Sequence, residues 1–258
     1  MKVWDMGILG GKLGYFILKQ YVPRGLKKNS LAHHLAVDAR LAELFGCDFY
    51  GQITGKVVID FGCGGGKEAI EMALHGAEKV IGIDMREWVL EVARELAIKY
   101  GVSNCCTFTT QTSERGDIII SKDAFEHFEN PPAVLKQMRR LLKPNGCVMA
   151  AFGPTWLHPY GGHLFSVFPW AHVIFTENTL LRWRSNFRSD GATRFSQVEG
   201  GLNQLTIGKF ESIVKNSPFE FEFMETVPIK GLNLLKFKLL REFGSSIVRC
   251  KLVPKAQK

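Results

Sequence analysis

Short apolar runs alternate with amphipathic stretches along the first 150 residues. Val57-Val58-Ile59, Val80–Ile83 and Ile118-Ile119-Ile120 are too brief for helices and read as buried parallel strands. Between them, residues 66–75 and Arg86–Tyr100 carry helical spacing, the latter with Val89, Val92, Ala93 and Leu96 on one face. A further strand is expected near Cys106–Thr109. Pro131-Pro132 then opens a helix bearing Val134, Leu135, Met138, Leu141 and Leu142, which Pro144-Asn145-Gly146 stops before a strand at Cys147–Phe152. Ahead of this series, Ser30 can cap a helix over 30–46, with Leu31, Leu35, Leu41, Leu44 and Phe45 as its stripe and Gly46 at its end.

The alternation breaks over 154–204, which is rich in Gly, Pro, Trp, His and Arg and holds one helix starting after Thr176. It resumes with a helix at Thr206–Asn216, a strand at Phe219–Val227, a basic apolar helix around Leu232–Phe243 and a strand at Ser246–Val253. The pattern predicts an α/β fold: a mainly parallel sheet with helices on both faces and an insertion after the fifth strand. The organisation expected is an N-terminal helical segment (1–54), a core (55–153), a cap (154–204) and a C-terminal completion of the sheet (205–258).

Composition narrows the class. Of 258 residues, 46% are hydrophobic and 11% aromatic, which excludes a disordered chain, and no apolar run reaches the ~18 residues of a membrane span. The net charge of +8 sits at the ends: residues 1–28 carry +5 and 230–258 carry +7, which leaves the middle at −4. A nucleic-acid reader would concentrate basic charge on its body, so nucleic acid is not an expected partner. The ends interleave Lys with apolar residues, which fits either contact with an anionic membrane surface or ordinary docking onto the body. Six cysteines (Cys47, Cys63, Cys105, Cys106, Cys147, Cys250) lack C-x-x-C or framework spacing, as expected for reduced thiols in the cytoplasm. Lys12 interrupts the apolar stretch Ile8–Leu18 and no small-residue cleavage site follows, which argues against a signal peptide.

The chemistry is concentrated in Asp60-Phe61-Gly62-Cys63-Gly64-Gly65-Gly66, leaving the first parallel strand, and in Asp84, at the end of the second. A glycine turn there lets a ligand approach the backbone, the next helix offers its first amides, and Asp84 stands where an acid accepts bonds from ribose hydroxyls. Dinucleotide enzymes use G-x-G-x-x-G; this chain has G-x-G-x-G preceded by an acid. That pattern resembles motif I of the class I S-adenosylmethionine-dependent methyltransferases. Asp117–Ser121 resembles the family's fourth strand, Asp123-Ala124-Phe125-Glu126-His127-Phe128 its following "EH" segment, and Arg139–Gly146 its "R-x-L-K-P-G-G" turn with Asn145 in place of the first Gly.

The resemblance implies a Rossmann-like seven-stranded sheet with an antiparallel last strand and S-adenosyl-L-methionine as cofactor. Asp60 would help place the methionine ammonium, and Gly62, Cys63, Gly64, Gly66, Asp84, Met85, Thr112 and Ser121 would form the rest of the cofactor site. The acid that the family often places against adenine is absent, leaving Gln111, Thr112 or Ser113. Only about six residues link the third and fourth strands, so a short third strand and no helix are expected there. Cys63 fills its turn for steric reasons.

Methyl transfer needs a positioned acceptor and, for a hydroxyl or amine, a base. Glu126 and His127 follow the fourth strand; His158 and His163 lie in the aromatic, Arg-rich segment after the fifth. These four are the candidate catalytic groups, with structural hydrogen bonding as the competing role for each. His158, His163 and His172 show no regular metal-ligand spacing, so no metal is expected. The reading is an enzyme acting on O, N or C of a small-to-medium acceptor beneath the cap. Alternatives are cofactor-dependent modification of a membrane lipid, since "FEHF" also resembles cyclopropane-fatty-acid synthases, and a non-catalytic binding module. An oligomer interface, as in a homodimer, is the competing role for the 154–204 segment.

Overall fold

The computed structural model describes residues 7–22, 37, 40–230 and 240–256. The sheet is built from β1 (Val57–Phe61), β2 (Lys79–Ile83), β3 (Cys106–Thr109), β4 (Gly116–Lys122), β5 (Leu142–Phe152), β6 (Phe219–Pro228) and β7 (Ser245–Pro254). Its order is β3-β2-β1-β4-β5-β7-β6. The first five strands pair in parallel, and β7 runs antiparallel to both β5 and β6. Around it lie α1 (Gly11–Leu18), α2 (Leu41–Phe45), α3 (Phe49–Ile53), α4 (Lys67–Leu74), α5 (Glu87–Lys99), α6 (Pro131–Leu141), α7 (Ala171–Ile174), α8 (Glu177–Arg184), α9 (Ile207–Lys215) and α10 (Arg241–Gly244). This is the Rossmann-like, seven-stranded α/β sheet expected.

Alternation along the strands divides the core. Val58, Val80, Ile118, Ile120 and Met149 face α2 to α5 (Leu41, Phe49, Ile53, Ala69, Met72, Leu90, Leu96). Ile59, Ile81, Ile119, Val148 and Phe152 face α6 and α9 (Leu135, Met138, Ile207, Phe210). Side chains from both faces of a central strand are thereby dry, which is why β1 and β4 read as unbroken apolar runs. Asn130 caps α6 through Oδ1, which accepts from the Ala133 amide at 3.2 Å, and Thr206 caps α9 through Oγ1, which accepts from the Lys209 amide at 3.2 Å.

The link from β3 to β4 is six residues without a helix, as expected. β4 lies three places from β3, ~14 Å away at ordinary strand spacing, within the ~20 Å reach of that link. One boundary differs markedly from the sequence reading. β5 begins at Leu142, which pairs with Gly116 five residues before Cys147, because the chain turns straight from the end of α6 into the ladder. The expected helices over 30–46 and 232–243 lie mostly outside the described residues; α2 and α10 are their described parts.

Residues 154–204 bury a separate cluster: Trp156, Phe165, Phe175, Leu180, Trp183 and Phe195 pack together, joined by Leu18 of α1. A parallel bridge from Leu9 to Phe175 fastens the start of the described chain to this layer.

Candidate active site

β1 delivers Asp60 to the carboxyl edge of the sheet, where the chain must turn sharply into α4. Gly62, Gly64 and Gly66 all have positive φ (88°, 49° and 78°). They are not equivalent. A Cβ on Gly66 would meet Ala93 Cβ at 2.7 Å, and one on Gly62 would meet Ala124 Cβ at 2.8 Å, so both glycines serve close packing. A Cβ on Gly64 would meet nothing within 4 Å, so that glycine faces open space.

Asp60 is fully buried, and its Oδ2 has no hydrogen-bond partner. Burial, then the neighbouring Glu68 carboxylate, push its pKa well up. An orphaned buried carboxylate oxygen beside an open turn suits a cationic ligand group. Asp84 stands at the end of β2, where its Oδ2 accepts the Gly64 amide at 3.0 Å. Burial alone would raise its pKa, but bonds from Arg86 outweigh that and hold it below the ordinary carboxylate value. Arg86 donates from Nε to Oδ1 at 3.0 Å and from Nη2 to Oδ2 at 3.1 Å. Asp60, the open face at Gly64 and the Asp84 carboxylate therefore fit the ammonium, backbone approach and ribose of S-adenosylmethionine. Arg86 was not singled out from the sequence, although it lies two residues from Asp84.

The remaining cofactor candidates scatter. Met85 is exposed beside Asp84. Thr112 accepts the Glu114 amide at 3.1 Å within the β3–β4 link. Ser121 is fully buried and its hydroxyl donates to the Phe61 carbonyl at 3.0 Å, so it ties β4 to β1. Cys63 packs inward, and burial, then Asp60, push its thiol pKa far up.

Four histidine and glutamate candidates divide into two groups. Glu126, His127 and His163 converge: each offers one ligand-type atom, and these lie within 4.8 Å of one another. Glu126 is buried, accepts the Gly153 amide at 3.3 Å through Oε1 and leaves Oε2 unpartnered. Burial pushes its pKa up to about 8, so it is mostly protonated at neutral pH. His127 Nδ1 bonds the Gly201 carbonyl at 2.8 Å, which fixes the ring, and Nε2 makes no hydrogen bond among the described residues. His163 adopts φ 50° and buries an unpartnered Nε2; burial, then His127, push its pKa down to about 4. Two imidazoles and a carboxylate are also a donor set that a divalent ion accepts, which the spacing in the sequence did not reveal.

His158 does not join this group by any described bond. Its Nδ1 accepts the Tyr160 amide at 3.0 Å within a local turn. His172 is fully engaged, with Nδ1 at 2.8 Å from Ser166 Oγ and Nε2 at 2.6 Å from the Trp156 carbonyl.

Two of the three, His127 and His163, line a cavity of about 200 Å³, with Arg184, Arg188 and Glu199 among its other walls; Glu126 lies buried beside them. Arg184 is spent on a bidentate pair with Asp190 at 2.5 and 2.6 Å. The site is held from the far end of the insertion: Asn203 Nδ2 donates to the Phe125 and Phe128 carbonyls at 2.6 and 2.8 Å, and its amide donates to Glu126 O at 3.1 Å. Asn203 and Gly201 lie more than 70 residues from the segment they hold, and no local signal marks them.

A strand–glycine turn–helix–strand unit ending in an acid, within this sheet order, is similar to the class I S-adenosylmethionine-dependent methyltransferase domain. Residues 54–154 match the model of the methyltransferase domain family. The chain is 36% identical over 109 residues to a ubiquinone biosynthesis O-methyltransferase of Photobacterium profundum, covering 39% of this chain and 45% of that protein. It is 36% identical over 147 residues to that of Pseudomonas syringae pv. tomato, covering 55% and 60%. The chain thus spans about half the length of the curated relatives it matches. Magnesium protoporphyrin IX methyltransferase from Synechocystis, solved with S-adenosylmethionine bound, shares the fold at a TM-score of 0.51 and 19% identity, covering 87% of this chain and 81% of that one.

Proposed function

We propose that this protein transfers a methyl group to an oxygen of a small-molecule acceptor held against Glu126, His127 and His163 beneath residues 154–204. The observation that carries the reading is the convergence of those three groups, with His127 and His163 on one cavity wall and Glu126 buried beside them. Oxygen is favoured because the curated relatives bear the name O-methyltransferase. When bound, S-adenosylmethionine supplies an electrophilic methyl on its sulfonium.

Asp60 would hold the cofactor's ammonium and Asp84 its ribose, with Arg86 giving way. The acceptor hydroxyl would sit at His127 Nε2, which would accept its proton during transfer. The Gly201 carbonyl on Nδ1 sets the tautomer with Nε2 unprotonated and steadies the imidazolium that results. Glu126, neutral through burial, can donate a hydrogen bond without adding a second charge. His163, kept neutral, orients the acceptor.

His127→Ala is expected to lower kcat by about 10²- to 10⁴-fold while S-adenosylhomocysteine affinity stays unchanged. His163→Asn, chosen because Asn tolerates positive φ, is expected to raise the acceptor KM more than it lowers kcat. Full activity in His127→Ala with an acceptor of known turnover would overturn the assignment of the base.

A further inference from the structure

The inner side of α1 is well seated. Gly14 and Leu18 are buried, and a Cβ on Gly14 would come within 2.9 Å of the Leu9 carbonyl and 3.1 Å of Thr179. The flanks are tied down too: Leu9 exchanges backbone bonds with Ile174 and Thr176 at 3.0 Å each, and Trp183 Nε1 donates to the Tyr21 carbonyl at 3.1 Å. The outer side is the anomaly. At 100° per residue Lys12, Phe16 and Leu13 share the face opposite Gly14 and Leu18. Ile8 and Val22 extend that apolar surface before and after the helix. Ile8, Leu13, Phe16 and Val22 are between 63 and 92% exposed.

A helix packed on a body normally turns a polar face to water. This one turns Leu and Phe outward, flanked by exposed Lys12 and Lys19, for which no carboxylate partner exists among the described residues. We propose that the outer face of α1 docks on an anionic lipid bilayer, with Leu13 and Phe16 entering the acyl boundary and Lys12 and Lys19 meeting the phosphates.

Charge selects this occupant. Residues 7–22 contain two lysines and no acid, and residues 1–28 carry +5. A second copy would bring Lys12 and Lys19 against their own kind, which costs affinity, whereas an anionic surface attracts each lysine by about 1 kcal/mol. No described helix is long and apolar enough to cross a membrane, so the contact is interfacial. α8, which carries α1 on one side, leads to Arg184 on the cavity wall. The docking itself does not depend on the proposed methyl transfer.

The test is co-sedimentation of the full chain with vesicles of equal phosphatidylglycerol and phosphatidylcholine, and with phosphatidylcholine alone. Binding is expected to the anionic vesicles, to weaken as salt is raised, and to fall about tenfold or more in Leu13→Ser/Phe16→Ser and in Lys12→Gln/Lys19→Gln. These side chains are exposed, so the variants should keep the wild-type melting temperature and S-adenosylhomocysteine affinity. Failure to bind anionic vesicles, equal binding by the variants, or equal binding to neutral vesicles would each overturn the proposal. A wild-type dimer that Leu13→Ser/Phe16→Ser converts to a monomer, without vesicle binding, would overturn it in favour of a second copy.

Discussion

Glu126 couples the proposed site to stability in a way that can be measured without knowing the acceptor. Burial raises its pKa from an ordinary 4.5 to about 8 in the folded chain. Between these values the folded protein holds a proton that the unfolded chain releases. Unfolding free energy therefore falls as pH rises through this window, with a limiting slope of about 1.4 kcal/mol per pH unit. Glu126→Gln keeps the shape and the acceptor for the Gly153 amide, and removes the titration. Urea unfolding of both proteins at about pH 5.5 and 7.5 should show wild type losing about 2 to 2.5 kcal/mol more than the variant over that interval. Parallel pH dependences would refute the claim that Glu126 is carried protonated at neutral pH, and with it the role of neutral donor.

Four further outcomes follow from the geometry. Arg86→Ala leaves the Asp84 carboxylate without its bidentate partner, so affinity for S-adenosylhomocysteine should rise severalfold by calorimetry; a fall would place Arg86 on the cofactor. Gly66→Ala, which drives a Cβ to 2.7 Å from Ala93 Cβ at φ 78°, should cost about 1–3 kcal/mol of stability by urea unfolding. Gly64→Ala, at φ 49° with open space, should cost about 1 kcal/mol but weaken cofactor binding more. Micromolar zinc should inhibit turnover by occupying Glu126, His127 and His163 in competition with the acceptor, and activation by zinc would instead make them a metal centre.

Much of this could be read directly from the residues. Buried parallel strands announce themselves because both faces are dry, and Gly62, Gly64 and Gly66 mark a turn that needs positive φ. Asp60 and Asp84 were placed by their positions at two strand ends. What stayed hidden depends on contacts across long stretches of chain. His163 meets His127 only because the insertion folds back, and Gly201 and Asn203 hold the Glu126–His127 segment from beyond it. His158 looked as promising as His163, yet its imidazole is used by its own turn. Ser121 sits at the right strand end, but its hydroxyl is consumed by the Phe61 carbonyl. The early start of β5 was obscured by Pro144, a residue that ends helices yet is tolerated here within the strand.

The turn from Asp60 to Gly66, together with Asp84, is expected to bind S-adenosylmethionine. Isothermal titration of the purified protein and of Asp84→Ala with S-adenosylhomocysteine, and with NAD as control, tests it most directly. Wild type should bind S-adenosylhomocysteine at a micromolar Kd, Asp84→Ala should lose that binding, and NAD should not bind. Absence of S-adenosylhomocysteine binding, or binding unchanged in Asp84→Ala, would contradict it.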